Sequence, residues 1–241
     1  MNDKAKAELA PTGVLRAGIN LSNFLLVTGR AANGNPEGVS PDMAHAIADK
    51  LGVPVQYVPF KTPGELADQV DNNVWDIGNI GAEPQRAQKI SFTAAYCEIE
   101  ATYMVPAGSP IKSIGEVDRK GVRIAVSARS AYGLWLENNI KNATLVQVAG
   151  LDAAFNKFAD EKLDVLAGLR PGLLNDIGKM PGATILDGKF SAVQQAVGTP
   201  KRNSAGAEFL AAFVEDAKRS GLVAGFIAKH KVKGLSVAPP A

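Results

Sequence analysis

The hydrophobic and polar positions along the chain form two similar successions of predicted elements. In the first, an apolar strand over 55–58 is followed by a helix pattern, an acidic residue and a further strand from Ile77. In the second, a strand over 145–148 is followed by a helix pattern, Asp164 and a strand from Val165. The repetition predicts two α/β units. Because ligands of paired open α/β sheets bind where strand ends and helix N-termini converge, small-molecule binding is the first functional hypothesis.

Local signals predict the order of elements in the first unit. A strand over 14–19 is followed by a loop and then by a helix that Ser40 is expected to cap, with a proline at its first position and Gly52 at its end. Thr62 and Glu65 have the spacing of a capping box, which predicts the start of the next helix. The order is therefore βαβαβ.

Two extended segments, 99–105 and 192–197, are predicted to carry the chain between the units and to act as a hinge, the second ending at 198–200. Apolar residues from position 205 onward fall on one face of a C-terminal helix, and the tail 237–241 is predicted to fray. The elements predicted between the crossings are strands 123–126, 145–148 and 165–167 and helices 131–139 and 151–160. The pattern thus predicts an α/β fold with residues 1–104 and 193–241 in lobe 1 and 105–192 in lobe 2.

Composition excludes several classes of function. The 241 residues are 46% apolar and 21% charged, with a net charge of +2 and no apolar run long enough to cross a bilayer. The scattered basic residues argue against a nucleic-acid partner. We therefore expect a soluble monomer. The first six residues lack the apolar core of a signal peptide, so the protein is either intracellular or numbered as a processed form with an added Met.

Cysteine and histidine offer little chemistry. Cys97 is the single cysteine, so there is no disulfide framework, and we expect a buried residue rather than a nucleophile. His45 and His230 are the two histidines and both fall on helix patterns. No metal site and no cofactor is predicted.

Several segments together resemble one family. They are Gly38 to Phe92 with Asp42, Trp75-Asp76, Glu83-Pro84-Gln85-Arg86-Ala87 and Ile90-Ser91-Phe92, then 121–130, Leu163-Asp164 and the C-terminal helix. They resemble the family 3 periplasmic solute-binding proteins of ABC importers. The resemblance implies a type II periplasmic binding fold, with two open sheets flanked by helices, that closes on a polar amino acid or related solute and docks on a membrane permease. It also implies a periplasmic location with the signal peptide already removed.

The resemblance implies ligand contacts in both lobes. Arg86 stands where family members clamp the ligand carboxylate bidentately, a geometry that a guanidinium supplies and an ammonium does not. The alternative is a surface arginine that pairs with Glu83 or Asp76. In the second lobe, Ser127 and Ser130 stand where hydroxyls and helix N–H groups meet the carboxylate, with Arg129 adding a cation or pointing to solvent. The candidate contacts from lobe 2 are Ser127, Arg129, Ser130 and Arg170.

Arg170 departs from the family pattern. It stands where amino-acid binders carry an acid for the ligand ammonium, so it is expected to repel an ammonium, unless it only starts a helix before Pro171. The first-lobe segment ending in Gly81 and Glu83 is two residues shorter than usual, and Glu83 is a candidate replacement acceptor. In the loop after the first strand, Asn20, Asn23 and Phe24 are further candidate contacts. Phe24 is the one aromatic ring in this loop, and recognition of a quaternary ammonium group uses several aromatic rings around the cation. The sequence therefore does not support a quaternary ammonium ligand.

Three functions stay open on this reading. The leading one is a receptor without enzymatic activity for a small organic anion or amino-acid-like carboxylate, held by Arg86, Arg129 and Arg170. The second is an enzyme similar to cyclohexadienyl dehydratases, which resemble the same binding proteins and which would need Glu83, Glu98 or Glu100 as general acid. The third is a sensory ligand-binding module, which the same ligand contacts would serve.

Overall fold

The computed structural model describes residues 3–241 and divides the chain into two compact units. Unit 1 contains the residues up to Glu98 together with Gln194–Ala241, and unit 2 is Ile99–Val193. The first crossing comes earlier than the predicted boundary at 104. It falls inside a single strand, Cys97–Val105, whose uninterrupted β-forming pattern gives no local sign of the point where the chain changes unit.

Every strand and helix predicted from the sequence is present, together with further short strands and helices. The strands are β1 (Leu15–Asn20), β2 (Gly29–Arg30), β3 (Pro36–Glu37), β4 (Val55–Phe60), β5 (Ile77–Gly81), β6 (Ile90–Phe92), β7 (Cys97–Val105), β8 (Arg123–Ser127), β9 (Thr144–Val148), β10 (Val165–Leu169), β11 (Thr184–Ile185), β12 (Ser191–Pro200) and β13 (Ser236–Val237). The helices are α1 (Asp3–Leu9), α2 (Val39–Leu51), α3 (Pro63–Asp68), α4 (Ala131–Asn139), α5 (Leu151–Asp160), α6 (Arg170–Asp176), α7 (Ser204–Arg219) and α8 (Leu222–Lys229). Short 3-10 turns lie at Arg86–Gln88, Ile114–Glu116 and Ile177–Lys179.

Unit 1 is built on a mixed sheet with the strand order β4-β1-β5-β12. β1 runs parallel to β4 and to β5, and β12 runs antiparallel to β5. Every residue of β5 is buried, as expected for a central strand with helices on its faces. Trp75, just before β5, is buried and donates its indole N–H to the carbonyl of Leu66 in α3 at 2.9 Å, which fixes that helix to the sheet.

Unit 2 repeats this plan with the strand order β7-β10-β8-β9. β8 is parallel to β9 and to β10, and β7 is antiparallel to β10. One face of the sheet packs on α5 through the buried Ala154 and Phe158. The other face packs on α4 through Tyr132 and Leu136. The prediction of an α/β fold with two open sheets flanked by helices is confirmed for each unit taken by itself.

Both units contain the same arginine–aspartate arrangement, which explains the repeated sequence pattern. In unit 1, Asp76 Oδ2 accepts from the backbone N–H and the Nε of Arg16 at 2.9 and 3.0 Å. In unit 2, Asp164 Oδ2 accepts from the backbone N–H and the Nε of Arg123 at 2.8 and 3.1 Å. In each unit the pair joins the start of one strand to the start of its parallel neighbour, so the acidic residue before the second strand has a structural role.

Most of the predicted helix caps are present, and one is wrong. Thr62 Oγ1 accepts from Glu65 N at 3.1 Å, and Gly52 ends α2 in the left-handed conformation, as predicted. Ser40, however, does not cap α2, because Gly38 is the N-cap and the helix begins at Val39. Gly38 has φ 147°, and a Cβ there would lie 2.2 Å from Leu26 O. A close backbone approach that only glycine permits therefore starts the helix earlier than the serine signal predicts.

The prediction that the C-terminal tail frays is also wrong. Val237 pairs with Cys97 of β7, and Ala238 N donates to Tyr96 O at 3.0 Å. Lys218 Nζ donates to Pro239 O at 2.8 Å. The tail is thus a short edge strand of unit 1, and its partners are too far away in sequence for local pattern to indicate the pairing.

Cys97 should be unreactive in the folded protein. Its side chain is buried, and burial raises the pKa of the thiol to about 12, so the nucleophilic thiolate is scarce at neutral pH. We expect Ellman's reagent to modify the native protein at least roughly 100-fold more slowly than the protein unfolded in guanidinium chloride. Equal rates in the two states would contradict the burial of this thiol.

Candidate functional site

The candidate contacts of unit 1 lie at the carboxyl ends of two neighbouring strands. β1 and β5 are parallel, with Ile19 opposite Asn79. Their last residues, Asn20 and Gly81, therefore lie at the same edge of the sheet. Loops at this edge of parallel sheets carry ligand-binding groups in open α/β folds. The loops that carry the candidate contacts of unit 1 therefore leave the sheet at the same edge.

The two asparagines of the loop after β1 shape its backbone. Asn20 Oδ1 accepts from the backbone N–H and the hydroxyl of Ser22 at 3.1 and 2.7 Å. Asn23 Oδ1 accepts from the backbone N–H groups of Leu25 and Leu26 at 3.2 and 3.3 Å. Both amide oxygens therefore support turns of the Asx type. Phe24, inside the second of these turns, has an exposed aromatic ring.

Arg86 is buried in the loop region after β5. The residue is 7% exposed, and its Nη1 donates to the carbonyl oxygen of Gly81 at 2.7 Å. This bond ties the guanidinium to the end of a central strand. The arginine is therefore buried beside the end of β5, rather than extended on the outer surface as in the alternative reading.

Glu83 lies between Gly81 and Arg86 and is half-buried. Burial raises the pKa of its carboxyl group to about 7, and the nearby Arg86 guanidinium acts in the opposite direction. Near neutral pH this side chain therefore exists in both the acid and the carboxylate form. An acid of this kind is suited to exchange a proton or to receive a cationic group.

The candidate contacts of unit 2 surround the start of α4. The Ser130 hydroxyl donates to Ser127 O at 2.7 Å and accepts from Gly133 N at 3.0 Å, so it caps the helix as predicted. Burial raises the pKa of Tyr132 to about 12, while side-chain hydrogen bonds with Ser130 and Ser127 act in the opposite direction. The serine side chains are thus engaged within unit 2. Arg129 is exposed and has a positive φ of 59°, which places it at a sharp turn ahead of the helix.

Arg170 has a charged partner in its own unit. Its Nε donates to Glu100 Oε2 at 2.8 Å, and its Nη2 donates to the carbonyl of Gly188. Lys189 Nζ lies 3.8 Å from the other oxygen of Glu100. Arg170 is also the first residue of α6, as the alternative reading expects. Because Glu100 offsets part of its charge, the repulsion of a ligand ammonium is smaller than the sequence alone indicates.

Sequence reasoning missed two partners near these residues. The sequence indicates Glu100 only as a possible general acid. It does not indicate that Glu100 is the partner of Arg170, which is 70 positions away. Gln194 is not among the residues that the sequence indicates. Its backbone carbonyl accepts from Ala82 N at 2.8 Å, and its side-chain Nε2 donates to Glu98 Oε1 at 2.9 Å. Both pairings depend on tertiary structure, so no local signal in the sequence could indicate them.

Residues 3–241 contain neither a candidate metal site nor a candidate membrane span. In residues 3–241, no three or more His, Cys, Asp or Glu side chains are grouped so that they could hold a metal ion. No helix in that range is both long and apolar enough to cross a membrane.

Solved structures similar to the chain include several amino-acid-binding proteins. The P235GK mutant of ArgBP from T. maritima has a TM-score of 0.74 and 20% identity, covering 95% of this chain and 100% of that one. The ancestral amino acid-binding protein AncCDT-1, a precursor of cyclohexadienyl dehydratase, has the same TM-score of 0.74 and 20% identity, with coverages of 95% and 99%. An amino acid ABC transporter substrate-binding protein from Streptococcus pneumoniae, bound to L-arginine, has a TM-score of 0.72 and 18% identity, with coverages of 97% and 99%. These similarities show the type II periplasmic binding fold.

Comparison by sequence gives the family. No curated protein matches the chain. The family model described as bacterial extracellular solute-binding proteins, family 3, matches residues 20–232. That range covers most of the chain and includes the segments on which the resemblance was based, so the prediction is confirmed. The chain belongs to the family 3 bacterial extracellular solute-binding proteins.

Proposed function

We propose that this protein is the solute receptor of an ABC importer and that it binds a small organic anion or an amino-acid-like carboxylate. The candidate contacts of unit 1 are Arg86 and its neighbours, and the candidate contacts of unit 2, taken by itself, are residues 127–130. The receptor acts as a monomer in the periplasm, needs no cofactor, catalyses no reaction and passes its ligand to a membrane permease.

The observation that carries this proposal is the placement of Arg86. The Arg86 residue is 7% exposed and its guanidinium is hydrogen-bonded to Gly81 O, so the side chain has few accessible conformations before a ligand binds. Its planar fork matches a carboxylate bidentately, and preorganisation of this kind reduces the entropy lost on binding. Relatives described as an ArgBP and as a substrate-binding protein bound to L-arginine make amino acids the first ligands to test.

A thermal-shift screen tests the proposal. The purified protein is melted with amino acids, dicarboxylates and keto acids, with glucose and choline as controls that lack a carboxylate. A ligand present at a hundred times its Kd stabilises the folded state by about 2.7 kcal/mol, which should raise Tm by roughly 5–10 °C for a chain of this size. If no carboxylate in the panel raises Tm, the proposed ligand class is wrong.

Two observations favour a second candidate function, an elimination similar to that of cyclohexadienyl dehydratase. One structural relative is a precursor of that enzyme, and Glu83 retains its proton in part at neutral pH because its pKa is raised to about 7. Such a carboxylic acid could protonate a leaving hydroxyl group. Incubation with prephenate or arogenate should give an aromatic product if this function is correct, and Glu83→Gln should abolish it. No product from either compound would leave the receptor function.

A further inference from the structure

Asn33 is the only asparagine of the sequence that a glycine follows. It lies at the exposed tip of the hairpin that β2 and β3 form, in which Gly29 pairs with Glu37 and Arg30 pairs with Pro36. The carboxamide carbon of an asparagine is open to attack by the backbone nitrogen of the next residue, and glycine hinders this attack least because it has no Cβ. The hairpin tip thus combines an exposed electrophile with an unhindered nucleophile.

The Asn33 side chain is folded towards the backbone that follows it. Its Oδ1 accepts from the backbone N–H of Asn35 at 3.0 Å, which forms a turn of the Asx type. Attack on Cγ places negative charge on this oxygen, and a backbone N–H that already points at it stabilises that charge. The Nδ2 group forms no hydrogen bond with residues 3–241, so nothing in that range holds the group that must leave.

A hydrogen bond of the same turn opposes the attack. The N–H of Gly34, whose nitrogen is the nucleophile, donates to Ala31 O at 2.8 Å, and Ala31 N donates to Asn35 O at 2.9 Å. However, β2 and β3 have two residues each and form a sheet of their own, and residues 32–35 are exposed. A hairpin of this size is marginally stable, so it opens locally and frees the nitrogen while the core of unit 1 stays folded.

We propose that Asn33 is a site of spontaneous deamidation. Gly34 N attacks Asn33 Cγ, the bond from Cγ to Nδ2 breaks, and the leaving nitrogen takes the proton of the Gly34 amide and departs as ammonia. Water then opens the resulting succinimide at either of its C–N bonds, which gives aspartate or isoaspartate at position 33. Both products carry a carboxylate in place of the neutral carboxamide, and isoaspartate also lengthens the backbone of the hairpin by one carbon.

The test follows the mass of one tryptic peptide in the wild-type protein, kept at neutral pH and physiological temperature. Cleavage after Arg30 and Lys50 releases residues 31–50, in which Asn33 and Asn35 are the asparagines. Fragment masses assign each replacement of NH2 by OH to one of the two. Asn35 is an internal control, because Pro36 has no N–H and cannot form the succinimide. Methylation of the peptide by an isoaspartate methyltransferase measures the isoaspartate share.

Three variants locate the reaction, and each is also made in a synthetic peptide of residues 28–38. We expect Asn33→Gln to remove the conversion at position 33, because the longer side chain would have to close a larger ring. Gly34→Ala should slow it at least about tenfold in both protein and peptide, since a Cβ hinders the attacking nitrogen. The peptide is needed because Gly34 has φ 85°, where alanine is strained and would alter the turn of the folded protein. Asn35→Gln is the matched control and should leave the rate at Asn33 unchanged.

In the wild-type protein we expect Asn33 to be converted at a rate within about tenfold of that in the peptide, because opening of the turn costs little. Isoaspartate should accompany aspartate in the product. A rate in the protein that is lower than this, conversion of Asn35 as fast as that of Asn33, or aspartate without isoaspartate would overturn the inference. None of these results affects the proposed function, which the thermal-shift screen tests separately.

Discussion

Arg86→Ala should weaken binding of a carboxylate ligand by about 2–5 kcal/mol, which is a loss of roughly 30-fold or more. The substitution removes the buried guanidinium that Gly81 O holds at the end of β5. Arg86→Lys should recover little affinity, because an ammonium cannot form two parallel bonds to a carboxylate and does not reproduce the same bond to Gly81. Calorimetric titration with the strongest carboxylate from the thermal-shift screen measures both losses.

The matched control for this experiment is Arg219→Ala. Arg219 is a mostly exposed arginine of α7, and its partner is Asp216 on the same helix. We expect its removal to leave affinity unchanged, because a surface ion pair of this type contributes little. The melting temperatures of the free proteins separate loss of binding from loss of folding. Affinity close to that of the wild type in a folded Arg86→Ala variant would mean that the carboxylate is held elsewhere.

Asp76→Ala should reduce the free energy of unfolding of unit 1 by about 3–5 kcal/mol. The Asp76 side chain is 3% exposed and that of Arg16 is 15% exposed, and they are joined by Nη2–Oδ1 at 2.7 Å as well as by two bonds to Oδ2. Removing the acid leaves the backbone N–H and the Nε of the largely buried Arg16 without their acceptor, while Asn73 still accepts from both Nη groups. This is the largest effect on stability that we expect from a single polar substitution in the molecule.

Asp164→Ala is the matched substitution in unit 2, and the repeated arrangement makes the comparison informative. Its side chain is 38% exposed and that of Arg123 is 44% exposed, so water can replace the lost bonds and we expect a cost of about 0–1 kcal/mol. Trp75 lies in unit 1 and Trp135 in unit 2. Urea unfolding followed by fluorescence therefore measures Asp76→Ala in a Trp135→Phe background and Asp164→Ala in a Trp75→Phe background, each compared with its own background protein. Equal costs for the two substitutions would contradict the role assigned to burial.

The sequence predicts the elements of the fold well because their signals are local. The helices over 131–139 and 151–160 have the predicted bounds, and Ser130 caps the first of them as its position predicts. The start of α2 at Val39 and the pairing of Val237 with Cys97 could not be predicted. The first depends on a close contact between Gly38 and Leu26, and the second joins segments 140 positions apart, from 97 to 237.

The candidate site is less predictable because its chemistry depends on burial and on distant partners. The family pattern indicates Arg86, but only the structure shows that it is buried and bonded to Gly81. The arginine at position 170 argues from sequence against an ammonium ligand, yet Glu100 partly offsets its charge. The raised pKa of Glu83 likewise follows from burial, which no local pattern indicates.

The central claim is that Arg86 binds the carboxylate of the ligand, and a cycle that removes each partner in turn tests it most directly. The strongest carboxylate from the thermal-shift screen and its primary amide are each titrated calorimetrically into the wild type and into Arg86→Ala. In the wild type, replacing the carboxylate by the amide should cost about 2–5 kcal/mol, and in Arg86→Ala the same change should cost close to nothing. An equal cost in both proteins would show that Arg86 and the ligand carboxylate do not interact, and would contradict the account.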